Sequence, residues 1–398
     1  MRKHIAIFVM LALAAAAQDQ PSPQRPQPGK PIKIDPAFQK AADETGGQVF
    51  AYDPRNPTQA ELITLMMARG HDVVTAHGHL SGERQFEAPV PSGVDKLMVS
   101  VQGGAGTEVR TPEGRLVGPS DPGVRFAMLS NGGILSIDEP GAGTWNVKLK
   151  GNGDFSIHVA TVSKRVAPGL ENSAATPQQL EGVELVSFEF QEAGGRPGHE
   201  GLFKIAGFPL AGQKYPVEAI MNGDYSTLQF EFRSAEGDVL QQFRLKRATD
   251  PTAKEYFGEV MVPDKPFRVY ATGLDMHGER FQRPMGALIS PQSFTISAPS
   301  FTEFHAGEST ECKIMVKNSG AADDFKLRAT DDKHLLQPLS ETSVHLDAGE
   351  TRQITLELKA PADAQYVSDT VVITVTRQAD SNASNHAVLR ATVFPPAR

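Results

Sequence analysis

Apolar side chains recur at every second position in short runs along most of the chain, and Gly- and Pro-rich turns separate the runs. The clearest example lies in residues 139–159, where two alternations flank a Gly-Asn-Gly-Asp turn: Trp145, Val147 and Leu149 before the turn, and Phe155, Ile157 and Val159 after it. A period of two places each set on one face of a strand. The pattern predicts a β-hairpin that closes an antiparallel sandwich and buries Trp145.

The same alternation continues in three blocks, with a polar, Pro-bearing connection at 163–179 and a second connection at 290–297. Turn signals recur between the runs, for example at 112–115 and 235–238. Evenly spaced short strands predict a mainly β fold of tandem antiparallel sandwiches. We assign these sandwiches to residues 71–162, 180–290 and 291–398. Interfaces between such domains are usually modest and polar, so we expect an elongated chain of modules.

Residues 35–70 have a different pattern, which predicts a short helix-strand-helix segment. Asp35 is a candidate N-cap for the first helix, and a Gly pair can end that helix. The run at 48–52 predicts a short strand. Thr58 and Glu61 have the spacing of a capping box, and the apolar stripe that follows predicts a second helix: Leu62, Leu65 and Met66.

The N-terminus predicts export. Arg2 and Lys3 precede an apolar run that ends in consecutive Ala residues, which is the order of a secretory signal peptide spanning residues 1–17. Residues 18–34 hold prolines among polar residues and predict an extended linker. No other segment approaches the roughly 20 apolar residues of a membrane span. We therefore expect a secreted or periplasmic protein with no membrane insertion and no lipid anchor.

Charge and cysteine usage limit the partners and the chemistry. The formal net charge is −8 at pH 7, and removal of Arg2 and Lys3 with the signal peptide makes it −10. A mildly acidic chain argues against nucleic acid as a partner. The single Cys, Cys312, shares a predicted strand face with Ile314 and Val316, which indicates a buried and unreactive thiol.

Several short motifs could carry chemistry, and each also has a structural explanation. His77-Gly78-His79 has the spacing of two zinc ligands on one strand face, with His71 nearby, but no third ligand follows at a fixed spacing. The turn at 118–123 and two Asp pairs lack the register of a calcium loop, so we interpret them as solvated turns: Asp323-Asp324 and Asp331-Asp332.

Three further positions are of interest for function. His199-Glu200 could form an acid-base pair, although a polar turn before a strand explains it better. Arg283 is interpreted as a structural link between strand ends or domains. Asn382 begins a glycosylation sequon in form. We assign no catalytic, cofactor-binding or metal-binding residue, and we expect no cofactor.

Five stretches carry a resemblance to a known family: GLDMHGERFQR at 273–283, PDKPFRV at 263–269, the run at 140–159, GRPGHEGLF at 195–203 and AADETGGQVF at 41–50. The first four resemble the region that follows the von Willebrand A domain in hemicentins and related proteins. The last resembles the closing helix and strand of the A domain itself. The resemblance extends over most of the chain after the linker. It implies a galactose-binding-like sandwich at 71–162 and an immunoglobulin-like sandwich at 291–398.

The chain departs from that family at the metal site. An A domain binds its metal through an Asp-x-Ser-x-Ser loop, and the sequence contains no such loop. Metal-dependent adhesion is therefore not carried over to any residue. The segment at 35–70 is then interpreted as an A-domain tail that packs on the first sandwich as a helical cap.

Two functions of different classes are consistent with these patterns. The favoured one is a secreted, non-enzymatic, multi-domain binding or adhesion-type protein that presents sandwich loops to an extracellular or envelope protein or to a glycan. The alternative is an accessory or inhibitory chain, or a remote hydrolase whose catalytic carboxylates are dispersed in the sequence.

Overall fold

The computed structural model describes residues 34–67, 70–163, 182–194, 200–250 and 253–396. The predicted signal peptide and all but the last residue of the predicted linker lie outside these residues, as does most of the connection at 163–179. Two helices precede the strands: α1 (Pro36–Thr45) and α2 (Pro57–Met66). The strands that follow belong to three groups, and the prediction of a mainly β chain with tandem sandwiches is confirmed.

The first group forms one antiparallel sheet from six strands: β1 (His71–Val90), β2 (Val94–Gly103), β3 (Gly106–Arg110), β4 (Val124–Leu129), β5 (Gly132–Asp138) and β6 (Gly143–Ser163). Their order is β1-β6-β2-β5-β4, and β3 also pairs with β6. Strand β3 pairs with the part of β6 before residue 151, whereas β2 pairs with the part after it. The sheet therefore folds over itself and encloses the apolar core of this sandwich.

The predicted hairpin at 139–159 is wrong, because β6 runs through the Gly-Asn-Gly-Asp sequence as one strand. Gly151 and Gly153 have φ angles of 149° and 130°, and Gly151 lies opposite Gly82 of β1, whose φ is 99°. These angles favour glycine, so both long strands can bend at the same place. The predicted inward face is confirmed, since Trp145 is buried and its Nε1 donates to the carbonyl of Gly141 at 2.8 Å.

The second group forms two facing sheets from nine strands: β7 (Glu184–Gly194), β8 (Gly201–Lys204), β9 (Lys214–Asn222), β10 (Tyr225–Ser234), β11 (Val239–Phe243), β12 (Lys246–Arg247), β13 (Glu255–Met261), β14 (Phe267–Asp275) and β15 (Arg280–Pro284). The sheet orders are β11-β10-β14-β15 and β12-β13-β9-β7-β8. The core between them is rich in phenylalanine, and the rings of Phe232 and Phe267 lie 4.4 Å apart. The turn predicted at 235–238 joins β10 to β11.

The third group forms a sandwich from eight strands: β16 (Phe294–Ser297), β17 (Phe301–His305), β18 (Ser309–Asn318), β19 (Asp323–Thr330), β20 (Ser343–Leu346), β21 (Thr351–Lys359), β22 (Val367–Arg377) and β23 (Ser384–Phe394). The sheet β16-β18-β21 faces the sheet β17-β23-β22-β19-β20. Strand β17 pairs in parallel with β23, so this sandwich is not purely antiparallel as predicted. Cys312 is buried in the core beside Ile314 and Val316, as predicted.

Helix α2 covers the outer face of the first sandwich. Leu62, Ile63 and Met66 pack against an apolar patch on that face: Met98, Ala127, Leu129, Ile134 and Ala160. The helix begins earlier than the capping box predicts, because Asn56 is the N-cap and Pro57 occupies the first turn. Asn56 Oδ1 accepts from the backbone N–H groups of Thr58 and Gln59.

The predicted strand at 48–52 is absent from this part of the structure. The segment forms no strand: the carbonyl of Ala51 accepts one backbone bond, from the N–H of Ser130 at 2.9 Å, and two other backbone groups bond to a side chain. Asn131, in the turn between β4 and β5, donates from Nδ2 to the carbonyl of Val49 at 2.8 Å. Its Oδ1 accepts from the N–H of Ala51 at 3.0 Å. One asparagine thus supplies two of the partners that a strand ladder normally provides.

Candidate functional site

Strand β1 is an edge strand of the first sandwich, and the second sandwich lies along it. Tyr270 of β14 is buried, and its hydroxyl donates to the carbonyl of Thr75 at 2.9 Å and accepts from the N–H of Thr75 at 3.2 Å. Gln282 of β15 donates from Nε2 to the carbonyl of Val73 at 2.6 Å. Side chains of one domain thus bond the edge backbone of the other. This buried junction is more extensive than the modest interface expected from the sequence.

The turn between β10 and β11 also contacts β1. The N–H of His77 donates to the carbonyl of Ala235 at 2.8 Å. Arg84 donates from Nη1 to the carbonyl of Glu236 at 3.1 Å and to Asp238 Oδ1 at 2.8 Å. A Cβ on Gly78 would lie 2.7 Å from Cγ of Glu236, so the close approach of this turn explains the glycine between His77 and His79.

Arg283 and Asp72 meet at one end of the junction. Arg283 is buried and donates from Nε to the carbonyl of Val183 at 2.5 Å, so it links β15 to the residue before β7, in agreement with the structural interpretation. Burial raises the pKa of Asp72 to about 6, although Arg283 and Arg268 oppose this shift. Burial lowers the pKa of Arg283 to about 10, and Asp72 offsets part of that change. The two groups therefore act on each other electrostatically across the domains, where burial shields both from solvent.

Arg268 of β14 connects three parts of the chain at the other end of the junction. Its buried guanidinium donates from Nε to the carbonyl of Gly286 at 3.0 Å and from Nη2 to His77 Nδ1 at 3.2 Å. Nη2 also donates to the carbonyl of Asp43, in the last turn of α1. The N–H of Leu288 donates to the carbonyl of Glu44 at 2.8 Å.

These bonds correct the expectation that residues 35–70 only cap the first sandwich. Helix α2 does cover that sandwich, but the C-terminal carbonyls of α1 bond to the second one. Such carbonyls have no partner within the helix, so donors from another domain satisfy them. On the same helix Lys40 Nζ donates to Asn382 of the third sandwich, the asparagine of the sequon.

Two histidines in this region are held neutral. Burial lowers the pKa of His158 to about 3, and Arg268 and His77 add to the shift. Burial also lowers the pKa of His77, with Arg268 acting in the same direction. Both effects disfavour a further positive charge beside the buried guanidinium.

A cleft of about 880 Å³ opens between the first two sandwiches, beside Arg283. His71, Phe281 and Arg283 line it, together with four carboxylates: Glu184, Asp224, Glu255 and Asp275. Lys254 Nζ donates to the carbonyl of Gly223 at 2.7 Å and pairs with Asp224 at 3.2 Å. The cleft is large enough for a small ligand and rich in acidic oxygen atoms.

The third sandwich carries a group of aromatic rings at its surface. Tyr366 is 65% exposed and its ring lies 5.8 Å from that of Phe394. The ring of His305 lies 6.0 Å from Phe394, and its Nδ1 is 2.9 Å from the carbonyl oxygen of Pro395. We call His305, Tyr366 and Phe394 the aromatic group. Exposed aromatic side chains of this kind are enriched at binding interfaces.

The other sequence candidates have local partners. His79 pairs with Asp154 at 2.9 Å at the surface, and His71 lines the cleft rather than joining His77. Within the described residues no group of three or more His, Cys, Asp or Glu side chains is arranged to hold a metal ion. His199 lies outside the described residues.

The predicted solvated turns bond mainly to their own surroundings. Asp121 accepts from the N–H of Gly118. The turn prediction for Asp323 and Asp324 is wrong, because both belong to β19, where Asp323 pairs with Arg377 at 2.7 Å and Asp324 with His345 at 2.9 Å. Asp331 Oδ2 accepts from the N–H of Leu336 at 3.0 Å. Among the described residues, no helix is long and apolar enough to span a membrane.

Comparison with known proteins identifies the third sandwich. Residues 293–395 match a family model described as the VWA7 Ig-like domain, so this part is an Ig-like region associated with von Willebrand A proteins. Comparison with curated proteins finds no match.

Three solved structures illustrate the structural similarities. The native conformation of Escherichia coli alpha-2-macroglobulin is 11% identical, with 82% of this chain covering 23% of that chain at a TM-score of 0.27. The propeptide form of the Bacillus licheniformis lipase BlEst2 is 14% identical, with coverage of 54% and 44% and a TM-score of 0.22. PapD-like domain 7 of human CEP192 is 11% identical, with coverage of 27% and 87% and a TM-score of 0.22. At such TM-scores none of them bears on the function of this chain.

Proposed function

We propose that this is a secreted or periplasmic, non-enzymatic protein of the binding or adhesion type, whose partner is an extracellular or envelope protein or a glycan. The aromatic group on the Ig-like sandwich is the observation that supports it most. Tyr366 is largely exposed although its ring packs edge-on against Phe394, so the ring is held in place and its outer surface is free for contact. Rigid, exposed tyrosines contribute strongly to binding because little conformational freedom is lost.

The remaining domains support this role as a scaffold. The bonds of Tyr270 to Thr75, Gln282 to Val73 and Arg268 to His77 hold the first two sandwiches together. A fixed scaffold favours binding because less conformational entropy is lost when the partner binds. We further propose the hemicentin-like organisation for the rest of the chain, with a galactose-binding-like first sandwich and an A-domain tail in residues 35–70.

A capture experiment tests the proposed function. The mature chain is immobilised and incubated with the extracellular or periplasmic fraction of its host, and in parallel with a glycan array. We expect Tyr366→Ala to reduce capture of the partner by about tenfold or more, as for a residue that dominates an interface. Tyr52→Ala is the matched control, because Tyr52 is also exposed but lies in the N-terminal segment. Equal capture by wild type and both variants would remove the aromatic group from the proposal.

The hydrolase alternative rests on the cleft between the first two sandwiches. Four carboxylates line it, and paired carboxylates can act as acid and base on a substrate. The wild-type chain is assayed with ester, peptide and glycoside substrates beside Glu184→Gln and Glu255→Gln. Turnover by the wild type that either substitution abolishes would favour this alternative over the non-enzymatic function.

A further inference from the structure

His77 lies where the two sandwiches and the N-terminal helix meet. It belongs to β1, its backbone N–H bonds to the turn between β10 and β11, and its ring bonds to Arg268 of β14. The Nη2 atom that donates to His77 Nδ1 also donates to the carbonyl of Asp43 in α1. One nitrogen therefore holds both the histidine and the helix.

The bond between Arg268 and His77 fixes the protonation state of the imidazole. A guanidinium has only donors, so His77 Nδ1 must accept and cannot carry a proton. A proton on Nδ1 would point the imidazole N–H at an N–H of the Arg268 guanidinium. It would also place the positive charges of His77 and Arg268 side by side in a largely buried site. The guanidinium would have to turn away, and the N–H that bonds to Asp43 would move with it.

Charged groups from every neighbouring element act on this ring. Asp43 and Glu44 of α1 and Glu236 of the turn between β10 and β11 favour the protonated form, while burial and Arg268 oppose it more strongly. On the adjacent strand β6, His158 is buried, and its pKa of about 3 keeps it neutral in mild acid. His77 is only partly buried, so of the two histidines it is the one that a proton reaches more easily in acid.

We propose that protonation of His77 releases Arg268 from α1, so that α1 separates from the second sandwich in acid while α2 stays packed on the first. Helix α2 is held mainly by Leu62, Ile63 and Met66 in an apolar contact. Its ion pair from Glu61 to Arg125 lies at the surface, where such pairs add little to stability. Two other bonds from α1 to the described sandwiches then remain. The bond from Leu288 to Glu44 lies at the end of the helix, where helices readily fray, and the bond from Lys40 to Asn382 joins α1 to the third sandwich and not to the second. The device links the position of α1 to the pH of the surrounding solution.

Hydrogen exchange of the full mature chain tests this switch. Protection factors are measured for residues 36–45 and 57–66 at pH 7.5 and pH 5.0, each relative to the unstructured peptide at the same pH. We expect α1 to lose protection by about tenfold or more at pH 5.0 and α2 to change by less than about twofold. Retention of α1 protection at pH 5.0, or equal loss in both helices, would overturn the proposal.

Two substitutions separate His77 from the other acid-sensitive groups. In His77→Asn the amide oxygen can replace Nδ1 as the acceptor and does not titrate, so we expect α1 to stay protected at both pH values. His79→Asn is the control, because His79 lies two residues away, is exposed and pairs with Asp154 at the surface. This variant should lose α1 protection in acid as the wild type does. If His77→Asn loses α1 protection in acid as the wild type does, another group is responsible and the proposal fails. The near-ultraviolet circular dichroism of Trp145 confirms that each variant is folded.

Discussion

The two junctions between sandwiches are built from different groups. The first uses large, partly charged side chains along an edge strand: Asp72, His77, Arg268, Tyr270 and Arg283. The second depends on a neutral residue, Asn385, whose Oδ1 accepts from the N–H of Phe208 at 2.8 Å and whose Nδ2 donates to the carbonyls of Phe208 and Phe294 at 3.2 and 3.1 Å. The second junction also contains one titratable group, His386, whose ring lies 6.3 Å from that of Phe208 and whose pKa is lowered by burial. The first junction holds more buried charged groups, so it should respond to pH more strongly than the second.

The second junction also uses a connection that pairs with the sandwich before it. Gln292, in the connection predicted at 290–297, exchanges backbone hydrogen bonds with Pro209 and Ala211 of the second sandwich. A Cβ on Gly207 would lie 1.9 Å from Asn385 Oδ1, so only glycine allows this approach. The contact is thus specified by backbone geometry, whereas the first junction is specified by side-chain chemistry.

Removing the largest side chain of the first junction should have the largest effect. Tyr270→Ala leaves both backbone groups of Thr75 without their partner and opens a cavity, which together cost about 3–5 kcal/mol. Tyr270→Phe keeps the ring and should cost about 1–3 kcal/mol. Urea unfolding followed by the fluorescence of Trp145, the only Trp and a reporter of the first sandwich, measures both. An unchanged midpoint in Tyr270→Ala would show that the junction adds nothing to the stability of the first sandwich.

The second junction should respond to a smaller change at one position. Asn385→Ala removes a partner of the buried carbonyl of Phe294 and of two part-buried backbone groups of Phe208, and it should cost about 1–3 kcal/mol, mainly in the third sandwich. Hydrogen exchange in β22 and β23 should report the loss, while the transition followed by Trp145 stays at the wild-type midpoint. If Asn385→Ala shifts that transition as much as Tyr270→Ala, the two junctions do not act independently.

Local patterns predicted the strands better than their connections. Apolar alternation places Trp145 and its neighbours correctly inside, because that face depends only on period two. The bend at Gly151 was predicted as a hairpin because Gly-Asn-Gly-Asp suits both structures. Whether this sequence forms a hairpin or a bend within one strand depends on its pairing with β1, where Gly82 lies opposite Gly151. That pairing joins residues far apart in the sequence, so the local pattern does not reveal it.

The first junction could not be predicted for a related reason. Arg268 and Tyr270 alternate with the core residues Phe267, Val269 and Ala271, so their face of β14 has the pattern of a solvent-exposed face. Both are buried only because β1 and α1 pack against that face. The sequence offers one signal of this junction: an arginine and a tyrosine lie two residues apart on the outer face of an otherwise apolar strand. This signal does not distinguish a buried face from an exposed one, because the same pair is common on exposed sheets.

The pH dependence of stability separates the two junctions further. His158 has its pKa lowered from 6.5 to about 3, so its contribution is complete above pH 6.5 and is lost as the pH falls. Asp72 has its pKa raised from 3.8 to about 6, so its contribution is present at low pH and is lost as the pH rises through 6. Between about pH 4 and pH 6 the two groups have opposite effects on stability: as the pH rises, His158 raises the free energy of unfolding and Asp72 lowers it, each by about 1.4 kcal/mol per pH unit.

Two variants should therefore change, in opposite directions, the slope of the unfolding free energy against pH. Asp72→Asn leaves His158 unopposed, so the free energy of unfolding should fall more steeply with acid than in the wild type, by about 1.4 kcal/mol per pH unit. His158→Gln should make the fall shallower by a similar amount. Urea unfolding at several pH values between 4.5 and 6.0, followed by Trp145, measures these slopes. Asn385→Ala serves as the control, because it neither adds nor removes a titratable group, and the slope of its unfolding free energy against pH should equal that of the wild type. A different slope in Asn385→Ala would mean that the charged cluster also depends on the second junction.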